Sequence, residues 1–539
     1  MKTLSSAKKI PSAIRACQTV RKSFGYWSLA LCMGALSACG GGGGGGGGSS
    51  INNLVTSGGT TNSWKSGVFK DSDEFKNLCL KPRVGQSPVT SIPYPDRKGT
   101  WLDEKNWLRS WSNETYLWYK EIKDTNPNNA LSPQDYFENL VTFDLTSNGQ
   151  RKDKYHYTRP TAEVEAEYIG GSVFGYGLGL RFVKNTPPRE LRLGYVEPNS
   201  PAENAGLTRG IKIVSVDGVD LVNDNTSNGI DTLNSGLFPS DIGEVHTFGI
   251  ESLTGIRTTV TLQSADVTTS PVHMSRLITV GASDVGYVVF NSHIQLAETQ
   301  LYNAVDYFAA VGVSDLVLDM RYNGGGLLQI AAELGYMIAG SKSKGKVFEQ
   351  LVFNDKFSPD DPFNFQSAGV YGSTRLLNLP TLNLSRVFVL TTSSTCSASE
   401  STINGLRGIG VEVILIGGQT CGKPYGFYST DNCGTTYSTI QFSGINAKGF
   451  GDYSDGFIPG ASDNGKDKVK GCLLEDDLNH DLGDTQERLL KAALAYRTSG
   501  SCGVTASAQK TVQPAAELEN GEPGLALDIG WTQSKIIQH

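Results

Sequence analysis

The chain has 539 residues, a formal net charge of −7 and 38% hydrophobic residues. The acidic balance argues against nucleic acid as a partner, because a phosphate backbone is bound by basic surfaces. The length exceeds that of one ordinary core, so several domains are expected. The six histidines show no metal-ligand spacing and the sequence has no nucleotide-binding motif, so neither a metal nor a cofactor is predicted.

The first 38 residues have the pattern of an export signal. Six cations and no acids precede an apolar stretch, Tyr26 to Ala38, that is too short to remain as a membrane-spanning helix. Its end, Leu36-Ser-Ala-Cys39, resembles the lipobox of bacterial lipoproteins, which implies lipidation of Cys39. Ordinary signal cleavage beside an incidental cysteine is the alternative. Loss of the leader would take the formal charge from −7 to −13.

Residues 39–65 are predicted to be a flexible tether, because they begin with the glycine run Gly40 to Gly48. Position 40 is not Asp, which favours the outer membrane in lipoproteins of Gram-negative type. We therefore expect a cell-envelope lipoprotein at the outer membrane, facing the periplasm or the cell surface. Export also favours disulfides, and six cysteines after Cys39 leave their pairing open: Cys79, Cys396, Cys421, Cys433, Cys472 and Cys502.

Residues 66–166 are predicted to form an N-terminal helical domain. Their aromatic residues fall near helical spacing, as in the four positions from Trp107 to Trp111, which is typical of a buried helix face. The simplest role for these side chains is core packing. The residues are Trp101, Trp107, Trp111, Tyr116, Trp118 and Tyr119.

Residues 167–267 resemble a PDZ domain. Short strands and turns surround a short predicted helix, Ser200-Pro-Ala-Glu-Asn-Ala-Gly-Leu207, with Pro just inside its start. The segment Gly177-Leu178-Gly179-Leu180 stands where that family has its carboxylate-binding loop. The resemblance therefore implies that these four residues bind the C-terminus of a peptide, which joins the adjacent strand edge. A plain β-rich spacer is the alternative.

Residues 268–500 alternate between apolar strands and amphipathic helices, which predicts βαβ units and a largely parallel sheet. Residues 501–539 show no strong pattern and are assigned to a C-terminal tail. The fold class is therefore multidomain α/β plus β. The predicted strands cover 285–290, 315–319, 386–390 and 412–416; the helices cover 297–311, begin near 327 and at 397, and cover 484–497; a hairpin-like pair is predicted within 423–442.

Two predicted loops leave the carboxyl ends of strands, where open α/β sheets place their ligand sites. Gly324-Gly-Gly326 follows one strand, and Ser397 follows another at the start of a helix. Backbone N–H groups of the glycine loop and of Ala398 can form an oxyanion hole. Lys423, one strand further on, would be the general base. The pattern predicts a Ser–Lys acyl-transfer site, which needs no histidine and no metal.

Two alternatives to this prediction remain open. Ser397-Ala-Ser-Glu400 is also a capping box, in which Ser397 caps the helix and Glu400 reaches back. A Ser–His site that uses His293 is the other alternative, because His293 also follows a strand. The joint occurrence of the serine, the lysine and the glycine loop favours the Ser–Lys site.

Three motifs together resemble the C-terminal processing (tail-specific) serine proteases: Asp319-Met-Arg-Tyr-Asn-Gly-Gly-Gly-Leu-Leu, Ser397-Ala-Ser-Glu and Gly422-Lys423. The resemblance covers residues 70–500 and implies a ClpP/crotonase-like core. It implies Ser397 as nucleophile, Lys423 as base, and Gly325 or Gly326 with Ala398 as oxyanion donors. It also implies protein or peptide substrates that are captured by their C-termini and cleaved through an acyl-enzyme.

One departure from that family concerns the lysine. Relatives commonly place a Gln four residues after it to orient it, whereas this chain has Phe427. Glu400 or Gln441 are candidates for the orienting role. The departure motivates an alternative from a different class, a catalytically inactive relative that binds peptides or other ligands. Cys396 and Cys421 lie beside the site and either bridge its loops or merely pack.

Overall fold

The computed structural model describes residues 64–146, 149–359 and 361–503, together with the backbone of Lys535 and Ile536. The predicted signal, the lipidation site Cys39 and nearly all of the tether lie outside these residues. Within the described ranges, no helix is both long and apolar enough to cross a membrane.

The N-terminal region is built around one helix, α1 (Trp101–Thr115). A reciprocal capping box begins it: the Thr100 N–H donates to Asp103 Oδ2 at 2.9 Å, and the Asp103 N–H donates to Thr100 Oγ1 at 3.2 Å. Trp107 and Trp111 stack 5.1 Å apart on its buried face, whereas Trp101 is exposed. The other elements are β1 (Leu78–Cys79), β2 (Arg97–Lys98), α2 (Pro133–Phe137), β3 (Tyr157–Pro160), α3 (Thr161–Glu165), a π-helical turn (Ala166–Gly170) and 3₁₀ turns at Ser72–Glu74, Tyr119–Glu121 and Pro127–Asn129.

The PDZ-like region is an antiparallel sheet with two helices. Its strand order is β10-β9-β7-β6-β5, with β8 beside β7, and in the described part of the chain no strand pairs with the outer edge of β5. A separate pair, β4 with β11, joins the segments that enter and leave the region. The elements are β4 (Ser172–Gly175), β5 (Leu178–Lys184), β6 (Glu190–Val196), α4 (Pro201–Asn204), β7 (Lys212–Val216), β8 (Val219–Asp220), α5 (Ser227–Leu237), β9 (Val245–Glu251), β10 (Arg257–Gln263) and β11 (Ala265–Thr268).

The core is a seven-stranded sheet, and every strand pair in it except β12–β13 is parallel. Its order is β12-β13-β14-β18-β19-β25-β24. These strands are β12 (Val272–Val280), β13 (Ser283–Phe290), β14 (Asp315–Asp319), β18 (Arg386–Thr391), β19 (Glu412–Gly417), β24 (Ile458–Gly460) and β25 (Lys468–Leu473). Smaller strands are β15 (Gly326–Leu327), β16 (Val347–Phe353), β17 (Phe363–Asn364), β20 (Tyr425–Gly426), β21 (Thr430–Asn432), β22 (Thr435–Ser438), β23 (Phe442–Ile445) and β26 (Lys535–Ile536).

Helices cover both faces of this sheet, which explains why its strands are continuous apolar runs. Helices α6 (Gln295–Val311), α7 (Leu328–Ala339) and α8 (Ala398–Gly408) pack on the face that includes Val387. Helix α9 (Arg488–Ser499) packs on the opposite face, against Phe388. The sequence pattern predicted that this last helix begins at residue 484. The helix instead begins at Arg488, because the Glu487 carboxylate caps it by accepting the Leu490 N–H at 2.9 Å.

The N-terminal region is joined to the core rather than separate from it. Strand β3 pairs with β22, and a disulfide links Cys79 to Cys433. The hairpin predicted within 423–442 is β21–β22, flanked by β20 and β23, which pair with each other. The predicted fold class is confirmed: the chain is a multidomain α/β protein with a helical N-terminal region, a PDZ-like β domain and a largely parallel α/β core.

Candidate active site

The two loops singled out in the sequence lie side by side at the carboxyl ends of neighbouring parallel strands. β14 pairs with β18 so that Asp319 lies opposite Leu390. Hydrogen bonds then join the loops: Thr395 Oγ1 donates to the Met320 carbonyl at 2.8 Å, and the Cys396 N–H donates to the Asn323 carbonyl at 3.1 Å. This edge of an open α/β sheet is where such folds bind ligands.

Ser397 stands at the sharp turn between β18 and α8, in a backbone conformation that L-residues rarely adopt. Its φ is +58° and its ψ is −115°. A serine held on a strained strand-to-helix turn is the arrangement that presents a nucleophile in other hydrolases. The residue is fully buried, and its Oγ has no hydrogen-bond partner among the described residues. The conformation could not be inferred from the sequence.

The capping box predicted from Ser397 and Glu400 is half formed. The Ser397 N–H donates to Glu400 Oε2 at 2.9 Å, as the motif requires. The reciprocal bond to the serine hydroxyl is absent from this part of the structure. Ser397 therefore occupies the cap position without using its hydroxyl as the cap.

The backbone N–H groups of Gly325 and Gly326 in the glycine loop point in different directions. The Gly325 N–H donates to the Asn323 side-chain Oδ1 at 2.9 Å, so it is already engaged. Gly326 bridges to His293, whose N–H donates to the Gly325 carbonyl at 2.9 Å and whose carbonyl accepts the Leu327 N–H at 2.7 Å. The backbone N–H of Gly326 consequently points to the opposite edge. The positive φ of Gly325 (108°) and Gly326 (129°) explains why glycines occupy both positions.

Ala398 supplies a second backbone donor beside the serine. It is the first residue of α8, and the N–H groups of a first helical turn have no carbonyl within their own helix. The edge of β15 that faces away from His293 also pairs, in parallel, with Lys535–Ile536. An extended backbone can therefore lie along this edge.

Lys423 is fully buried between two aromatic rings. Its Nζ lies 4.5 Å from the ring centre of Tyr155 and 4.8 Å from that of Phe427. Phe427, which stands where relatives commonly have Gln, is thus in contact with the lysine. Tyr155 belongs to the N-terminal region, and its hydroxyl donates to the Gly422 carbonyl at 3.2 Å. No motif in the sequence indicated that Tyr155 contacts the lysine.

Glu400 joins the serine loop to the lysine loop. Its Oε2 accepts the N–H groups of Ser397 at 2.9 Å and Lys423 at 2.8 Å. Its Oε1 accepts the Gly422 N–H at 2.9 Å and the Thr420 hydroxyl at 2.5 Å. Burial raises the pKa of Glu400, and these hydrogen bonds oppose the rise. The carboxylate therefore holds the backbone of Lys423.

The other candidate for the orienting role, Gln441, is used elsewhere. Its Oε1 accepts the Tyr428 N–H and its Nε2 donates to the Tyr428 carbonyl, both at 3.2 Å. A disulfide joins Cys396 to Cys421, so these two cysteines bridge the loops. A third disulfide joins Cys472 to Cys502.

The predicted peptide-binding residues lie in the PDZ-like domain, whereas Ser397 lies in the core. Leu178, Gly179 and Leu180 are on the outer strand β5, and Gly177 precedes it with a φ of +79°. The PDZ-like domain contacts the glycine-loop motif at Tyr322. Arg209 of the PDZ-like domain donates to the Tyr322 hydroxyl at 2.6 Å.

The buried serine, the outward backbone donors and the buried lysine at one edge of a parallel sheet define a site of the serine-hydrolase type. Two family models match the chain: "Peptidase family S41" over residues 284–429 and "Peptidase S41 N-terminal domain" over residues 103–157. Over these residues the chain is similar to peptidase family S41, and the matches support the family of the C-terminal processing proteases. The resemblance seen in the sequence motifs is confirmed.

Individual relatives agree with this assignment. The chain is 25% identical over 248 residues to a carboxyl-terminal-processing protease of Picosynechococcus, covering 46% of this chain and 54% of the relative. It is 29% identical over 203 residues to a chloroplastic C-terminal processing peptidase of Tetradesmus obliquus, covering 35% of this chain and 42% of the relative. The chain thus spans about half of the length of the curated relatives it matches. A putative S41 protease from Bacteroides fragilis superposes with a TM-score of 0.56 at 26% identity, covering 76% of this chain and 98% of that one.

Proposed function

We propose that the chain is a serine endopeptidase in which Ser397 is the nucleophile and Lys423 the general base. The observation that carries the proposal is the buried, unpartnered Oγ of Ser397 on a strained turn. Glu400 supports it, because one carboxylate oxygen binds the backbones of both proposed catalytic residues.

In the proposed reaction, Ser397 Oγ attacks the carbonyl carbon of the scissile bond and Lys423 Nζ takes its proton. The N–H groups of Gly326 and Ala398 stabilise the oxyanion that develops. When the intermediate collapses, Lys423 gives the proton to the departing amine and Ser397 is left as an ester. Water then attacks the ester, with Lys423 again accepting and returning a proton.

A lysine base must be neutral before it can accept a proton. Complete burial disfavours its charged form, whereas two aromatic ring faces favour it. Val413 and Leu415 on β19 belong to the same buried apolar cluster as the two aromatic residues beside Lys423.

The substrate is proposed to bind as an extended strand. The outward edge of β15 already pairs with a segment of backbone, so a substrate there would lie beside the N–H of Gly326. We propose that the PDZ-like domain first captures the C-terminus of a protein substrate through Gly177–Leu180. The unpaired outer edge of β5 supports this, because a peptide can add to it as a further strand.

We also propose that Cys39 is lipidated and tethers the enzyme to the outer membrane. The support is the sequence Leu36-Ser-Ala-Cys39 and the glycine run that follows. Labelled palmitate should enter the wild-type chain and not a Cys39→Ser chain. Equal incorporation in the two would remove the lipoprotein proposal.

The peptidase proposal is tested with the full chain and an unfolded protein substrate. Ser397→Ala and Lys423→Ala should each lower kcat by about 10³-fold or more while the thermal unfolding transition is kept. A fluorophosphonate probe should label the wild type stoichiometrically at Ser397. Turnover that persists in both variants would reject the proposal.

A catalytically inactive peptide-binding relative is the second candidate, because Phe427 stands where relatives commonly have Gln. It predicts peptide binding without labelling of Ser397 by the fluorophosphonate. Stoichiometric labelling together with turnover would reject it.

A further inference from the structure

His293 is a buried histidine that the proposed Ser–Lys reaction does not use. Its side chain is fully enclosed, and its ring centre lies 4.5 Å from that of Phe290. Burial lowers the pKa of His293 to about 4, against the opposing hydrogen bonds with Asn323 and Gly325. The imidazole is therefore neutral across the ordinary working range of pH.

The surrounding hydrogen bonds fix which nitrogen of His293 carries the proton. The Gly325 N–H can only donate, and it lies 2.9 Å from one side-chain atom of Asn323, which must therefore be Oδ1. Asn323 Nδ2 correspondingly donates to the Phe290 carbonyl at 2.9 Å. Since His293 Nδ1 lies 3.0 Å from the same Oδ1, Nδ1 carries the proton and donates it. Nε2 keeps a lone pair and has no hydrogen-bond partner in the described part of the chain.

The same two residues connect the glycine loop with the serine loop. Through its backbone, His293 pairs with the glycine loop on both sides of Gly326. The Asn323 carbonyl accepts the Cys396 N–H at 3.1 Å and the Ser399 hydroxyl at 3.0 Å, immediately beside Ser397. The side chain of Asn323 therefore holds the glycine loop, and its backbone carbonyl holds the serine loop.

We propose that His293 is a positioning residue for the oxyanion hole, which rests on the peptidase function proposed above. Its Nδ1–H holds Asn323 Oδ1, that oxygen holds the Gly325 N–H, and the Gly326 N–H is thereby kept aimed at the substrate edge. His293 acts through Asn323 and transfers no proton to or from Ser397.

The unpartnered Nε2 makes a Ser–His reaction the competing explanation, and two amide substitutions separate them. His293→Asn places an amide nitrogen near the position of Nδ1 and lacks Nε2. His293→Gln reaches the position of Nε2 and lacks the donor at Nδ1. His293→Ala lacks both.

We expect His293→Asn to retain kcat within about 10-fold of the wild type, and His293→Gln and His293→Ala to lose about 10²-fold, the cost of one oxyanion donor. KM should change little in all three. The pH dependence of kcat in His293→Asn should follow that of the wild type. His293→Ala and Asn323→Ala should be strongly non-additive, because the two side chains act as one unit.

Two results would overturn the inference. An inactive His293→Asn beside an active His293→Gln would make Nε2 the base, and unchanged kcat in all variants would remove any role for the side chain. Thermal unfolding of each variant shows whether it is folded, and His293→Asn is the variant expected to fold best. If Ser397→Ala and Lys423→Ala retain turnover, the proposed function itself fails, which is a distinguishable outcome.

Discussion

The carboxylate of Glu400 lies 2.8 Å from the backbone nitrogen of Lys423, and the two residues are 23 positions apart. The same oxygen accepts the N–H of Ser397, so one buried anion sets the separation of two loops that leave different strands. Glu400, predicted as the capping partner of Ser397 and as a possible orienting group for the lysine side chain, also fixes the lysine backbone.

Replacing Glu400 should therefore damage catalysis even when the shape of the side chain is kept. In Glu400→Gln, either orientation of the amide places an NH₂ group against backbone N–H donors, because both carboxylate oxygens accept such bonds. We expect kcat to fall about 10²-fold and the free energy of unfolding to fall by about 1–3 kcal/mol. Glu412→Gln, at an exposed ion pair with Lys470, is the matched control and should leave both unchanged. Wild-type kcat in Glu400→Gln would contradict the role.

Phe427 can be tested as the residue that confines the lysine ammonium. Phe427→Leu removes a ring face from Lys423 Nζ, an interaction of about 0.5–2 kcal/mol, while most of the buried volume is retained. We expect kcat to fall about 10-fold, measured beside thermal unfolding. Phe442→Leu, equally buried and packed against Phe353, should lower stability and leave kcat unchanged. Equal kcat losses in the two variants would assign the effect to general packing.

The sequence motifs predicted where the site lies but not how its groups are held. Ser397, Lys423 and the glycines were singled out as candidates because their types and spacing are those that the proposed chemistry needs. The roles of Tyr155 and Asn323 could not be found, because each depends on contacts between segments far apart in the chain. The hydrogen bonds between the side chain of Gln441 and the backbone of Tyr428 also could not be predicted. The strands were predicted well because burial on both faces leaves continuous apolar runs.

The Cys396–Cys421 disulfide should make catalysis sensitive to reduction. It joins the residue before Ser397 to a residue two positions before Lys423, and it closes a loop for which a stabilisation of about 3 kcal/mol is typical. We expect Cys396→Ala/Cys421→Ala to lower kcat and the wild type to lose activity in dithiothreitol and regain it on oxidation. Cys79→Ala/Cys433→Ala removes a bridge between the N-terminal region and the core and should reduce stability with less effect on kcat. Full activity of the reduced wild type would rule out the dependence.

The backbone segment at the β15 edge should compete with substrate. Lys535–Ile536 pairs with Gly326–Leu327, the edge proposed for the substrate strand. A chain that ends at residue 503 should therefore show a lower KM for an extended peptide, with kcat unchanged. A synthetic peptide of residues 531–539, added to the shortened chain, should inhibit it competitively. An unchanged KM would show that the segment does not occupy the substrate edge in solution.

Glu197 should make the stability of the PDZ-like domain depend on pH near neutrality. The carboxylate is buried behind Gly177, where it accepts the Ser270 N–H at 2.9 Å, and burial raises the pKa of Glu197 to about 7. The folded state therefore binds this proton more tightly than the unfolded state does, and the stabilisation present below pH 4.5 is lost as the pH rises through 7. The loss amounts to about 3 kcal/mol.

Denaturant titrations at pH 5 and pH 8 measure this effect. Glu197→Gln should lack this part of the change in the free energy of unfolding, whereas Glu190→Gln, whose carboxylate is partly exposed, should keep it. Identical pH dependence in the wild type and Glu197→Gln would show that the carboxyl group is not protonated in the folded state.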